Sequence, residues 1–112
     1  MKKMKVYTKR FTSGQDLLEE VEKFVQAEKI MKGCLLSAIG SVDGLHVKLN
    51  NGQSEAEWPE QHEVLSLSGP VSVEGSHIHV AGANREGVAR GGHLLPGTPV
   101  SLFVEVAIGE YE

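Results

Sequence analysis

Polar and apolar residues alternate along most of this chain, and one stretch breaks into a helical rhythm. In residues 4–11, Lys5, Tyr7, Lys9 and Phe11 fall on one parity and Met4, Val6, Thr8 and Arg10 on the other. That is the pattern of a partly exposed strand. Thr12-Ser13-Gly14-Gln15-Asp16 then offers an N-cap hydroxyl with Gln15 or Asp16 three residues on, a capping-box arrangement. From residue 16 to about residue 29, Leu17, Leu18, Val21, Phe24 and Val25 form the stripe of an amphipathic helix, with Glu19, Glu22 and Lys23 facing water. Gly33 is the expected stop.

Beyond Gly33 the chain reads as strands and turns. Residues 34–39 form a short apolar run, and Leu45, Val47 and Leu49 then alternate with His46, Lys48 and Asn50. Asn51-Gly52 signals a turn, and the polar residues 53–61 are expected to be irregular. Further strands are expected over residues 62–68, 71–73, 76–81 and 100–108. In the last of these, Val100, Leu102, Val104, Val106 and Ile108 share one parity, with Phe103 and Ala107 on the other. A strand apolar on both faces must be covered on both. One short helix covers only one face of such a sheet, so the second is expected to meet another copy of the chain. A sheet curled into a small barrel is the alternative. The fold class is therefore α+β, with one main helix on a mostly antiparallel, strongly curved sheet.

Composition narrows the class. A chain of 112 residues holds a single domain, residues 1–112, with a core of its own. The lone Cys34 excludes an internal disulfide framework, fits a reducing cytoplasm, and reads as core packing. No apolar run approaches the ~20 residues of a membrane helix, and no apolar signal core follows the basic start. A formal net charge of −4 argues against a surface given over to nucleic acid.

The 5 histidines carry the candidate chemistry. In an extended strand His77 and His79 project to one face while Ile78 and Val80 point to the core, with roots roughly 7 Å apart. Both imidazoles can then reach one ion. His93 returns beside them if residues 88–93 pair antiparallel with residues 76–81. Three histidines plus water or a carboxylate make an open zinc site. The same pair also reads as two solvated strand histidines. Glu105, among apolar neighbours, is a candidate fourth ligand, a partner for a histidine N–H, or a group facing a cation across an oligomer interface. His46 and His62 read as solvated. The H-x-H spacing also occurs in cupins, but Pro96, Gly97 and Pro99 follow His93 here, where the cupin order places them before it.

Glu63-Val-Leu-Ser-Leu-Ser-Gly69, His77-Ile-His79-Val80, Gly91-Gly92-His93-Leu94-Leu95-Pro-Gly97 and Val104-Glu105-Val-Ala-Ile108 together resemble the PPC (plants and prokaryotes conserved) domain. The likeness spans roughly residues 6–108 and points to a prokaryotic stand-alone member. It implies the one-helix antiparallel fold, assembly as a homotrimer, and zinc or another divalent transition metal on His77, His79 and His93. It also implies a DNA-binding or transcription-associated module. The AT-hook core Arg-Gly-Arg-Pro is absent, however, and Glu60-Gln61-His62-Glu63 stands where plant members carry an arginine-led segment. Basic residues Lys2, Lys3, Lys5, Lys9 and Arg10 are the candidate DNA contact. The alternative is a metal-dependent enzyme or small-molecule binder using the same histidines, with Glu105 or His62 as acid or base and Arg85 or Arg90 holding an acidic ligand. Cytoplasmic location, self-association and no membrane contact complete the expectation.

Overall fold

The computed structural model describes residues 3–51 and 53–112. Its elements in chain order are β1 (Met4–Thr12), α1 (Leu17–Glu28), β2 (Gly33–Val42), β3 (Leu45–Lys48) and β4 (Glu55–Trp58). They continue with β5 (His62–Ser72), β6 (Gly75–Ser76), β7 (His79–Ala83), β8 (Ala89–Leu94) and β9 (Val100–Tyr111). All nine strands join one antiparallel sheet in the order β1-β9-β2-β5-β7-β8-β3-β4, with β6 on β5. β1 and β4 are its two ends, so the sheet is open and curved and the barrel alternative does not form.

Helix α1 covers one face. Leu17, Val21 and Val25 are buried at helical spacing, and Phe24 meets Tyr7 of β1 edge to face at 6.0 Å. The opposing sheet positions include Phe11, Val104, Val106 and Ile108, all at most 1% exposed. One contiguous core runs from beneath the helix to Val47, Val80 and Leu94 at the far side of the sheet.

The helix starts later than the capping box suggests. The backbone N–H of Thr12 does donate to Gln15 Oε1 at 2.7 Å, but this closes the preceding turn. The cap is Asp16, whose Oδ2 accepts from the Glu19 N–H at 3.0 Å. The helix ends at Lys29, which takes the left-handed conformation at φ 55°, and Gly33 instead opens β2. A side chain with φ above zero is a costly cap. The expectation that segment 53–61 is irregular is also corrected, because Glu55–Trp58 pairs with β3. Gly52 of the expected turn lies outside the described residues. Leu102 leaves the parity of Val104 and is 76% exposed, because the β2–β9 register shifts between Gly40 and Val42.

Among the described residues, no element covers the other sheet face. Register places Val6, Thr8 and Arg10 of β1, Ala107 and Glu105 of β9, and Ile39 of β2 upon it. The same face continues across Ser68 to His79 and His93. No described helix is long and apolar enough to cross a membrane.

Candidate metal centre

Three strand pairings bring the histidines together. β5 and β7 place Ser68 opposite His79, β7 and β8 place His79 opposite His93, and β8 and β3 place His93 opposite Lys48. Directly opposed residues of an antiparallel pair project to the same face, so these four side chains form a row across the open face. His77 lies just before β7, where its N–H donates to the Pro70 carbonyl at 3.0 Å. Burial of Ile78 and Val80, at 1% and 3% exposure, turns His77 and His79 outward together.

Two glycine positions permit this layout. Gly69 has φ +129°, and a Cβ there would stand 1.9 Å from the His77 carbonyl oxygen. A Cβ on Gly91 would stand 2.2 Å from the Val80 carbonyl oxygen. These two glycines let strands approach closely, while Gly87, at φ +79°, sits in the reversal between β7 and β8. The reversal is made by Asn84, whose carbonyl accepts from Gly87 N–H at 3.0 Å and whose Oδ1 accepts from the Val88 N–H at 3.0 Å.

In the resulting cluster one nitrogen from each of His77, His79 and His93 lies within 4.8 Å of the others. Nitrogens around a tetrahedral ion bound at about 2.0–2.1 Å stand about 3.3 Å apart, so the set lies within about 1.5 Å of that spacing, and two of its three side chains are exposed. The rings of His77 and His93 stack at 4.5 Å, and that of His79 meets His77 edge to face at 5.0 Å. Burial, then the charges of His77, His79 and Lys48, hold the His93 imidazolium below the usual histidine range. Each of these effects favours the neutral imidazole, the form that ligates a metal. The donor set thus fits a borderline divalent cation such as zinc.

The other candidates lie elsewhere. Glu105 is on β9, three strands from β7, which is roughly 14 Å at ordinary strand spacing. Its carboxylate faces a cation, as one reading had it, but within the chain: it accepts from Arg10 Nε at 3.2 Å. Arg90 pairs with Glu60 and lies 5.4 Å over the Trp58 ring, while Arg85 is exposed in the loop between β7 and β8. His62 is fully buried rather than solvated, with Nδ1 donating to the Glu60 carbonyl at 2.8 Å and Nε2 buried without a partner. That burial removes it as an acid or base at the cluster. His46 is also held, with Nδ1 at 2.5 Å from the Pro96 carbonyl and Nε2 at 2.8 Å from Glu55. Cys34 is half-buried and shares the open face, opposite Gly109. Lys48 is the residue that the motifs overlooked. Its parity with His46 marked it as outward-facing, but only the β3–β8 pairing sets it beside His93.

A single helix on an antiparallel sheet, with an imidazole cluster on the uncovered face, defines a small α+β domain with a candidate metal centre. The chain belongs to the family described as the Plants and Prokaryotes Conserved (PCC) domain, whose model matches residues 1–112. It is similar to the bifunctional protein GlmU of Synechococcus sp. (strain JA-3-3Ab), 34% identical over 107 residues covering 96% of this chain and 17% of GlmU. The chain thus spans less than a fifth of the curated relatives it matches. Among solved structures, a protein from Salmonella cholerae-suis superposes with a TM-score of 0.94 at 27% identity, over 98% of this chain and 80% of that one. A metal-containing protein from Archaeoglobus fulgidus gives 0.76 at 28% identity, over 96% and 80%. A candidate DNA-binding protein from Bacteroides thetaiotaomicron gives 0.81 at 22% identity, over 98% and 83%, a likeness of fold alone.

Proposed function

We propose that this domain is a metal-binding module that holds one divalent ion, zinc in the first instance, on His77, His79 and His93 and presents it to a small ligand. The carrying observation is the convergence of three imidazole nitrogens within 4.8 Å on an open sheet face. Structural zinc sites close with four protein ligands, whereas three leave a position for water or a ligand. When bound, the ion supplies Lewis acidity at that position. The chain's own contribution is to orient three imidazoles and, through burial first and then nearby positive charge, to favour the neutral form of His93.

Assembly as a homotrimer belongs to the same reading. Its support is the uncovered face, where Val6, Leu36 and Ile39 remain 53%, 45% and 64% exposed. A DNA-associated role has less support. Arg10 is already paired with Glu105, Lys5 lies 4.8 Å over the Tyr7 ring, and the chain carries a net −4. Lys2 lies outside the described residues. Retention of duplex DNA at physiological salt would restore that role.

The test is metal content after dialysis against zinc or cobalt, for the wild type and for His77→Ala, His79→Ala and His93→Ala. About one ion per chain is expected for the wild type, with at least tenfold weaker uptake in each variant. Uptake unchanged in all three variants would remove the ligand set.

A further inference from the structure

The surroundings of the histidine cluster indicate what kind of ligand it takes, an inference that rests on the metal-binding reading above. The cluster opens into a cavity of about 800 Å³, lined by Lys48, Asn50, His77, His79, Gly92 and His93 among others. None of its lining residues is acidic, although acidic residues outnumber basic ones by 15 to 11 in the chain. The nearest carboxylate by register is Glu55, directly opposite Lys48 on β4. Glu55 is turned to His46 Nε2 instead, at 2.8 Å. Lys48 takes part in none of the ion pairs among the described residues. Its ammonium therefore stands beside His93, on the cluster's face, without a carboxylate partner.

Three neutral imidazoles leave the double charge of a bound divalent ion uncompensated. Lys48 adds a further positive charge at the same cavity, and no carboxylate lines it. A neutral ligand would leave that charge unbalanced. A ligand with two equivalent anionic oxygens answers both positive centres at once. We propose that the site binds a small oxyanion, a carboxylate or a phosphate, with one oxygen at the ion's open position and another on the Lys48 ammonium. A lysine acts here as a strongly hydrated point charge, so it sets charge selection more than geometry. The cavity is large enough to hold more than the anionic head alone, since small-ligand sites are typically 300–1,000 Å³.

Cobalt-loaded protein gives a direct readout, because the visible absorption of the ion changes when its open position changes ligand. Acetate, inorganic phosphate and the neutral isostere acetamide are titrated at fixed ionic strength into wild type, Lys48→Met and Lys48→Arg. Acetate or phosphate is expected to shift the cobalt spectrum saturably, and acetamide is not. Lys48→Met is expected to weaken the anion about tenfold while binding cobalt at least as tightly as the wild type, and Lys48→Arg to stay within about threefold. Response to acetate alone or to phosphate alone would identify the head group. Equal anion affinity in wild type and Lys48→Met, or an equal response to acetamide, would overturn the proposal and leave the metal site standing. Failure of the wild type to take up cobalt would overturn the metal reading and this proposal together.

Discussion

His46 shows how much a single side chain takes from its surroundings. Its two ring nitrogens face a carbonyl oxygen and a carboxylate, so both are best used as N–H donors, which only the imidazolium supplies. The Pro96 carbonyl raises its pKa most; burial, next in size, opposes it, and Glu55 and then Glu57 add to the rise, so the net direction is upward. A raised folded-state pKa means that the stabilisation is fully present below the unfolded value of about 6.5. It is lost as pH rises through the folded value. Urea unfolding of the wild type and His46→Gln should thus differ by on the order of 1 kcal/mol at pH 5.5 and by less at pH 8.5. A difference independent of pH, or larger on the alkaline side, would remove the charged form from the account. The strand alternation correctly directs His46 away from the core. It does not show that the β8–β9 connection crosses beside it and takes up its ring.

At the scale of elements, Asp16 joins the helix to the segment that follows the third histidine. One carboxylate oxygen caps α1, and the other accepts the backbone N–H groups of Gly97 at 2.7 Å and Thr98 at 3.1 Å. The Asp16 backbone also bridges to Pro99. Replacing Asp16 with alanine should cost about 2–3 kcal/mol, the sum of a lost cap and lost charge-assisted bonds. Asp16→Ser should recover roughly the cap contribution of about 1 kcal/mol and no more. Chemical denaturation separates these outcomes, and a serine variant as stable as the wild type would show that the ties to Gly97 and Thr98 contribute nothing. The capping signature was legible before the fold was known. The cap itself is not the hydroxyl that the signature offers but Asp16, three residues after Ser13, tied in place by the Gly97 and Thr98 backbone.

For the whole molecule, the dominant fact is that, among the described residues, a nine-stranded sheet has a helix on only one side. Apolar side chains that no element covers are exposed at a cost in water, and a second copy of the same surface removes it. Ile39 sits centrally on that face, beside Glu105 in register. If the face is the assembly interface, the wild type should elute as a species of three chains by size exclusion with light scattering. Ile39→Glu should elute as one chain with an unchanged far-ultraviolet circular dichroism spectrum. A monomeric wild type, or a variant that still assembles, would count against that interface. The histidine cluster shares this face, so assembly and the proposed metal binding are expected to influence each other.

The amino-acid sequence by itself determined what depends on neighbours along the chain. The stripe of Leu17, Val21 and Val25, the alternation that buries Ile78 and Val80, and the outward pairing of His77 with His79 all follow from local periodicity. Tertiary structure alone decided which strands become neighbours. Inserting β9 between β1 and β2 gave Glu105 to Arg10 rather than to the histidines. Pairing β8 with β3 set Lys48 beside His93, and closing β5 over the core buried His62. Pairing between distant strands depends on register and on shared burial across the sheet. A pattern read along one strand contains neither.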